Sequence, residues 1–249
     1  MESYLMNFKF KSEIVKLLKY LTKPSILPFY VFVVIYLVVF SPHVARPDEV
    51  PFAALLKVLP IWYLAFYVYK ARNTRSNWDA EDSYSAVNLN IFLCGLLMSS
   101  LGDICLVYEN LFQPGVVAFA VAQFCYLLNF KRLYKTYLLA WSSIPIGIMI
   151  YIILFISMQD VSMKIIVFFY NILIHTMLFY AFSCFESKPC AATLSIMLGA
   201  SIFLISDFTI AVNKWIISFS LAEGIILSTY YVAQLLLTVG VTNVTKEKI

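Results

Sequence analysis

Long apolar runs separated by short polar stretches repeat along the chain, and each run is near the roughly 20 residues a helix needs to cross a bilayer. Dividing the runs on that basis predicts eight spans, at about 25–41, 51–69, 87–108, 113–130, 136–157, 163–185, 191–213 and 219–240. The expected fold is therefore all-α, a polytopic membrane bundle of about eight helices. Ahead of the first span, residues 1–24 mix Lys9, Lys11, Lys16, Lys19 and Lys23 with aromatics and leucines, which reads as a basic amphipathic segment on the membrane surface. Residues 25–241 form the membrane domain and 242–249 a short tail.

Composition agrees with the pattern. The chain is 62% hydrophobic and 13% charged, with a mean hydropathy of +0.84. A soluble domain carries about 25% charged residues, so a soluble globular protein is excluded. The net charge of +4 is small and gathered near the membrane, which argues against a nucleic-acid partner. Cys94, Cys105, Cys125, Cys184 and Cys190 fall in or beside spans without metal-ligand spacing, and are expected to be unpaired apolar packers. The basic N-terminal segment has no small-residue cleavage site, so no cleavable signal peptide is expected.

Lysine and arginine set the orientation. An even number of spans puts both termini on one side. That side gains the five N-terminal lysines and Lys70, Arg72, Arg75, Lys131, Arg132, Lys135, Lys188, Lys246 and Lys248. The other side holds Arg46, Lys164 and Lys214. By the positive-inside rule both ends are cytoplasmic. The sequon Asn243-Val244-Thr245 then lies on the wrong side for glycosylation.

Against this apolar background, Asp103 in LMSSLGDICLVY and Asp207 in LGASIFLISDFTIAV stand out. A carboxylate inside a span costs about 2.5–3.5 kcal/mol on insertion scales and normally faces the bundle interior. With the topology above, Asp103, Asp207 and Lys57 all lie roughly 7–10 Å inside the non-cytoplasmic boundary. A common depth points to one shared pocket. Two bland readings stand beside it: each Asp is a structural hydrogen-bond acceptor, or pairs with Lys57 to cancel charge. Lys57 either snorkels to the interface, holds a lipid phosphate, or keeps one Asp charged.

Other polar residues share faces with these. Ser99 and Ser100 stand one turn before Asp103, and Gly102 permits close helix approach. Ser206 adjoins Asp207, with Phe203 and Gly199 continuing its face. In the eighth span Tyr230 and Gln234 share a face with Glu223 and Thr238, and in the fourth Gln123 and Tyr126 form a similar pair. Such groups either bind substrate or join neighbouring helices. His175, mid-span in NILIHTML, reads as a satisfied core histidine, and His43 falls in a loop.

No His/Cys/Glu cluster has metal spacing, no serine sits in a nucleophile elbow, and no glycine-rich phosphate loop is present. Two carboxylates can hold Mg²⁺, but a third oxygen ligand is not evident. No cofactor is expected. The residues alone lead to a helical membrane bundle with a two-carboxylate site.

The segments ALLKVLPIWYLAF, LMSSLGDICLVYEN, LGASIFLISDFTIAVNKW and STYYVAQLLLTVGV, in this order, resemble the YhhN family of membrane proteins, whose animal members include the lysoplasmalogenases. The S-D of the seventh span and the T-Y-Y-x-A-Q of the eighth are specific in combination, and the resemblance runs from the second span onward. It implies an eight-span bundle that hydrolyses the vinyl ether of lysoplasmalogens to a fatty aldehyde and a glycerophospho-ethanolamine or -choline. By motif position it assigns the catalytic pair to Asp103 and Asp207, and substrate contacts to Lys57, Tyr230 and Gln234. The family's His-x-x-Tyr of the fourth span reads here Gln123-Phe-Cys-Tyr126, a departure that removes a titratable group. The resemblance also implies an endoplasmic reticulum membrane and a lysophospholipid partner. It says nothing of the oligomeric state.

The chemistry suits the residues. A vinyl ether hydrolyses by protonation at carbon, giving an oxocarbenium ion that water captures. One carboxylic acid and one anion suffice, the pairing that glycosidases use for a similar ion. Two other classes remain open at this point: a lipid transporter or scramblase using the same polar groove, and a lysolipid-binding protein without hydrolytic activity. The topology makes a direct prediction. Tags at both termini are expected to be protease-accessible on the cytoplasmic side of sealed microsomes, and a tag in SPHVARPDEVP protected; the opposite pattern inverts the orientation.

Overall fold

The computed structural model describes residues 10–40, 50–75, 88–131 and 140–244. The loop carrying His43 and Arg46, residues 76–87 of the polar connector, Lys9, Arg132, Lys135, Thr245, Lys246 and Lys248 lie outside the described residues. Nine α-helices are present among the described residues: α1 Phe10–Leu21, α2 Leu27–Phe40, α3 Val50–Arg75, α4 Leu89–Val107, α5 Phe112–Phe130, α6 Ser143–Ser157, α7 Val161–Ser187, α8 Ala191–Trp215 and α9 Ala222–Val244. Seven of them (α3 to α9) are long and apolar enough to cross a membrane, and the bent pair α1 and α2 raises the number to eight if it forms one more. The all-α membrane bundle expected from hydropathy is what forms.

Local chemistry explains the boundaries. Pro28, Pro51, Pro114 and Pro145 each sit in the first turn of a helix, where a missing N–H leaves no intrahelical bond unmade. Asn88 caps α4 by accepting from the amides of Asn90 and Ile91. Asp160 caps α7 by accepting from the Ser162 amide at 2.9 Å, and hydrogen bonds from the Ser162 side chain and backbone hold its carboxyl below the usual carboxylate range. The second span, expected to end near residue 69, continues as helix to Arg75. Lys70 and Arg72 are good helix formers, so the backbone stays helical after the hydrophobic signal stops. Of the fifth span, expected from about 136, the described residues open with a 3₁₀ turn, Ala140–Ser142, and become α-helical at Ser143.

Six helices close a ring: α3 packs on α4, α4 on α5, α5 on α7, α7 on α8, α8 on α9, and α9 back on α3. Outside it, α2 lies against α3 and α6 against α7. The most extensive contact joins α8 and α9, and it depends on two glycines. A Cβ on Gly199 would stand 2.9 Å from the backbone nitrogen of Leu237, and one on Gly240 would stand 2.8 Å from the carbonyl oxygen of Ala192. Ser195 Oγ donates to the Leu236 carbonyl at 2.7 Å across the same seam. In a bilayer, where hydrocarbon surrounds both helices, close van der Waals approach and such hydrogen bonds hold helices together.

The N-terminal basic segment is more than a surface float. Helix α1 bends 53° from the helix that follows it. Its Leu17 is buried against Ala191, Leu194 and Leu236. Glu13 accepts from the Ala191 amide at 2.8 Å, which puts a carboxylate at the N-terminus of α8, where unpaired amides and the helix dipole favour it. Lys23 Nζ donates to Asn243 Oδ1 at 3.3 Å, so the start of the chain, the start of α8 and the end of α9 meet at one end of the bundle.

The α8–α9 seam predicts an order of stabilities. Gly199→Val, which meets backbone, is expected to lose about 1–3 kcal/mol, measured by thermal unfolding in detergent. Gly115→Ala, whose new Cβ would meet the movable tip of Leu106 at 3.0 Å, is expected to lose less. Equal losses overturn this account of the seam.

Candidate active site

Helices α4 and α9 run antiparallel on opposite sides of the ring interior, and polar residues at four-residue steps on each match in register. Asp103 Oδ2 accepts from the Tyr230 hydroxyl at 2.5 Å. One turn deeper, Gln234 Nε2 donates to Ser99 Oγ at 3.1 Å. From α5, the Tyr126 hydroxyl donates to Gln234 Oε1 at 3.0 Å and lies 3.2 Å from Ser99 Oγ. All five side chains are buried. Three helices are thereby joined by one polar ladder, each rung satisfied by its neighbours.

Lys57 of α3 completes the Asp103 end. Its Nζ lies 3.9 Å from Asp103 Oδ1, with the two side chains 12% and 3% exposed. The Tyr231 hydroxyl donates to the Lys57 carbonyl at 2.9 Å, fixing the lysine's backbone against α9. The bland reading of Lys57 as a charge partner of one Asp therefore matches the geometry, and the partner is Asp103.

Asp207 sits in different surroundings. It accepts a short hydrogen bond from the Tyr170 hydroxyl of α7, and no described cation lies within ion-pair distance of it. Where Asp103 is enclosed, Asp207 is partly buried because it lines an apolar cavity between α5, α6, α7 and α8, walled by residues such as Val116, Leu154, Ala211 and Trp215. The rings of Phe119 and Phe203 each meet Tyr230 edge-on, at 5.9 and 5.6 Å, and Phe119 also lines the cavity. The two carboxylates still interact electrostatically. The single pocket expected from common depth is thus two adjoining compartments: a closed polar one around Asp103, and an apolar one that Asp207 faces.

Several sequence expectations change in detail. Ser99 joins the ladder, but Ser100 donates to the Leu97 carbonyl of its own helix at 2.8 Å. Gln123 and Tyr126 do not act as a pair: Tyr126 bonds Gln234, while the Gln123 carboxamide faces the Tyr170 hydroxyl without completing a hydrogen bond. Ser206 donates to the Ile226 carbonyl at 3.0 Å and joins α8 to α9. Glu223 is exposed, and the Thr238 hydroxyl is buried without a partner. His175 is only half satisfied. Its Nδ1 lies 2.9 Å from the Asn171 carbonyl, and its Nε2 is buried with no partner. Tyr170 escaped the sequence reading altogether. It is one of 17 tyrosines, and nothing in FFYNILIHTML distinguishes its hydroxyl from those at membrane interfaces.

The model of the YhhN family matches residues 52–241. This chain belongs to the YhhN family. This YhhN protein is 30% identical over 206 residues to lysoplasmalogenase TMEM86B of Sus scrofa, covering 81% of each chain. It is 27% identical over 197 residues to lysoplasmalogenase TMEM86B of Homo sapiens, covering 76% of this chain and 75% of that one. With lysoplasmalogenase TMEM86A of Bos taurus it shares 25% identity over 222 residues, 87% of this chain and 88% of the other. No solved structure matches it. The matched region spans α3 to α9, so it contains the whole ring and leaves α1 and α2 outside.

The ladder of this YhhN protein predicts a stability effect that separates joining from filling. Gln234→Leu removes the acceptor of the Tyr126 hydroxyl and the donor to Ser99, leaving these two buried hydroxyls only each other, and is expected to cost about 1–3 kcal/mol. Adding Tyr126→Phe is expected to cost less than Tyr126→Phe alone, because the Gln234 acceptor of that hydroxyl is already gone. Unfolding of the single and double variants in detergent measures the difference; a simple sum of two losses sinks the ladder.

Proposed function

We propose that this protein is a lysoplasmalogenase of the endoplasmic reticulum membrane, with both termini cytoplasmic, and that Asp103 and Asp207 are its catalytic pair. The observation that carries the reading is the contrast between the two carboxylates. One is enclosed with a cation and a tyrosine, and the other faces an apolar cavity with a tyrosine alone. The names of its relatives point to the same reaction.

The two environments suit different tasks. Lys57 beside Asp103 favours a standing negative charge, since opposite charges in a low-dielectric interior attract strongly. Asp207 has no such cation, and in the neutral form its carboxyl is a proton donor at the wall of an apolar space. The proton passes from Asp207 to the β-carbon of the vinyl ether, and the C=C electron pair forms the new C–H bond. The adjacent carbon becomes an oxocarbenium ion, which the Asp103 charge stabilises. Water adds to that carbon and returns a proton to the Asp207 carboxylate, leaving a hemiacetal. The hemiacetal collapses to a fatty aldehyde and the free glycerol hydroxyl of the headgroup. One water is consumed, and no metal, cofactor or covalent enzyme intermediate is required.

The remaining residues orient these parts. Tyr230 aims Asp103, and Tyr170 aims Asp207. Tyr126 and Gln234 hold the helices beneath the site in register. Gln123, backing Tyr170, steadies the acid rather than feeding it protons, since a carboxamide does not titrate. Lys57 keeps Asp103 charged.

The test is release of aldehyde from lysoplasmenylethanolamine by the purified protein. Asp103→Asn and Asp207→Asn are each expected to lower turnover by about 10²–10⁴-fold, with the double variant little worse than either single because the pair acts as a unit. Near-normal turnover in either single variant makes that residue structural and ends the two-carboxylate mechanism. Lipid movement across vesicles without aldehyde release assigns the bundle to transport instead.

A further inference from the structure

The cavity at Asp207 continues beyond the reacting centre. Along α7 its lining continues past Tyr170 to Asn171 and Ile174. Asn171 also lines a second, larger hollow of about 350 Å³, between α6 and the C-terminal half of α7, whose wall includes Trp141, Ile148, Ile172, His175 and Phe179. The two hollows therefore share a wall residue, and the second is open to lipid: Ile148 is 58% and Ile172 46% exposed.

At the junction the side chains form a neck. Asn171 Nδ2 donates to the Gly147 carbonyl at 3.1 Å. The His175 ring lies flat on Gly147, where a Cβ would stand 2.8 Å from its Cγ. A carbonyl only accepts, so His175 Nδ1 carries the proton toward the Asn171 carbonyl, and the ring is held in that orientation. Gly147 thus leaves room for the imidazole. Helix α6, which forms the outer wall, is the least enclosed of the candidate spans.

We infer that the two hollows are one channel for the alkenyl chain of the substrate, running from Asp207 past the Asn171–Gly147–His175 neck into the lipid-facing groove between α6 and α7. This rests on the lysoplasmalogenase reading and adds the direction and exit of the chain. In a vinyl ether the double bond is the first segment of that chain, so a chain entering the channel sets its β-carbon beside Asp207. From Tyr170 to Tyr180 the groove follows α7 for about 15 Å. Only a long chain reaches its far end. The lipid opening removes any need to hold the whole chain, because hydrocarbon outside is as good a solvent as the groove. The aldehyde leaves by the same route into the bilayer.

The experiment compares a long-chain (octadecenyl) and a short-chain (octenyl) lysoplasmenylethanolamine with wild type, Ile148→Trp and Ile172→Trp. Both positions are exposed, so the added rings fill the groove without entering the core. Turnover of the long substrate is expected to fall at least about tenfold, since displacing a bound chain misaligns the reacting carbon, while the short substrate changes by less than about twofold. A second measurement avoids turnover. A non-cleavable 1-O-alkyl analogue with a terminal photoreactive diazirine is expected to label peptides containing Ile172 or Phe179. Equal effects on both chain lengths, or label confined to the rim at Phe112 and Trp215, overturn the channel. Failure of wild type to release aldehyde from either substrate overturns the enzymatic reading instead, and the labelling pattern then decides the channel alone.

Discussion

The constraint on which the rest depends is the cost of a carboxylate in hydrocarbon. Two such groups, Asp103 and Asp207, sit on helices that must hide them, and every partner they find comes from a different helix. Asp103 takes Tyr230 from α9 and Lys57 from α3; Asp207 takes Tyr170 from α7. Satisfying two side chains therefore requires five helices to stand in a particular order and register. The ring of α3, α4, α5, α7, α8 and α9 meets that requirement, because it turns the polar faces of α4 and α9 toward each other.

Around this polar interior, cohesion comes from close approach. Gly199 and Gly240 let α8 and α9 touch backbone to backbone, and the hydroxyls of Ser195 and Ser206 bond carbonyls across the seam. Helix α9 thereby becomes a rigid post carrying Tyr230, Tyr231 and Gln234. The far end of α8 is anchored from outside the family-matched region, where Glu13 of α1 meets the Ala191 amide. The tightly packed α8–α9 pair lies on one side of the bundle, and the peripheral, less enclosed α6 on the other.

The two aspartates sit in contrasting surroundings, which is what the proposed division into acid and anion draws on. Enclosure with Lys57 and exposure to an apolar cavity are opposite environments for the same carboxyl, and environment assigns acid and anion in other two-carboxylate sites. Phe119 and Phe203 separate the compartments while leaving the charges near enough to interact.

Much of this was legible in the chain itself. Helices and their approximate ends follow from hydropathy, because in lipid each backbone group must find its partner within its own helix. Asp103, Asp207 and Lys57 announce themselves because charge is so costly among apolar neighbours, and the motif order from α3 to α9 carries the family. What only the tertiary structure decided is who meets whom. Helical periodicity reports the faces of one helix and is silent on which other helix covers them. So Ser99 and Ser100 read alike although only Ser99 reaches Gln234, Tyr126 turns from Gln123 to α9, and Tyr170 becomes the partner of Asp207 with no local signal. Those pairings are set by how six helices pack into a ring, a property of contacts far apart in sequence.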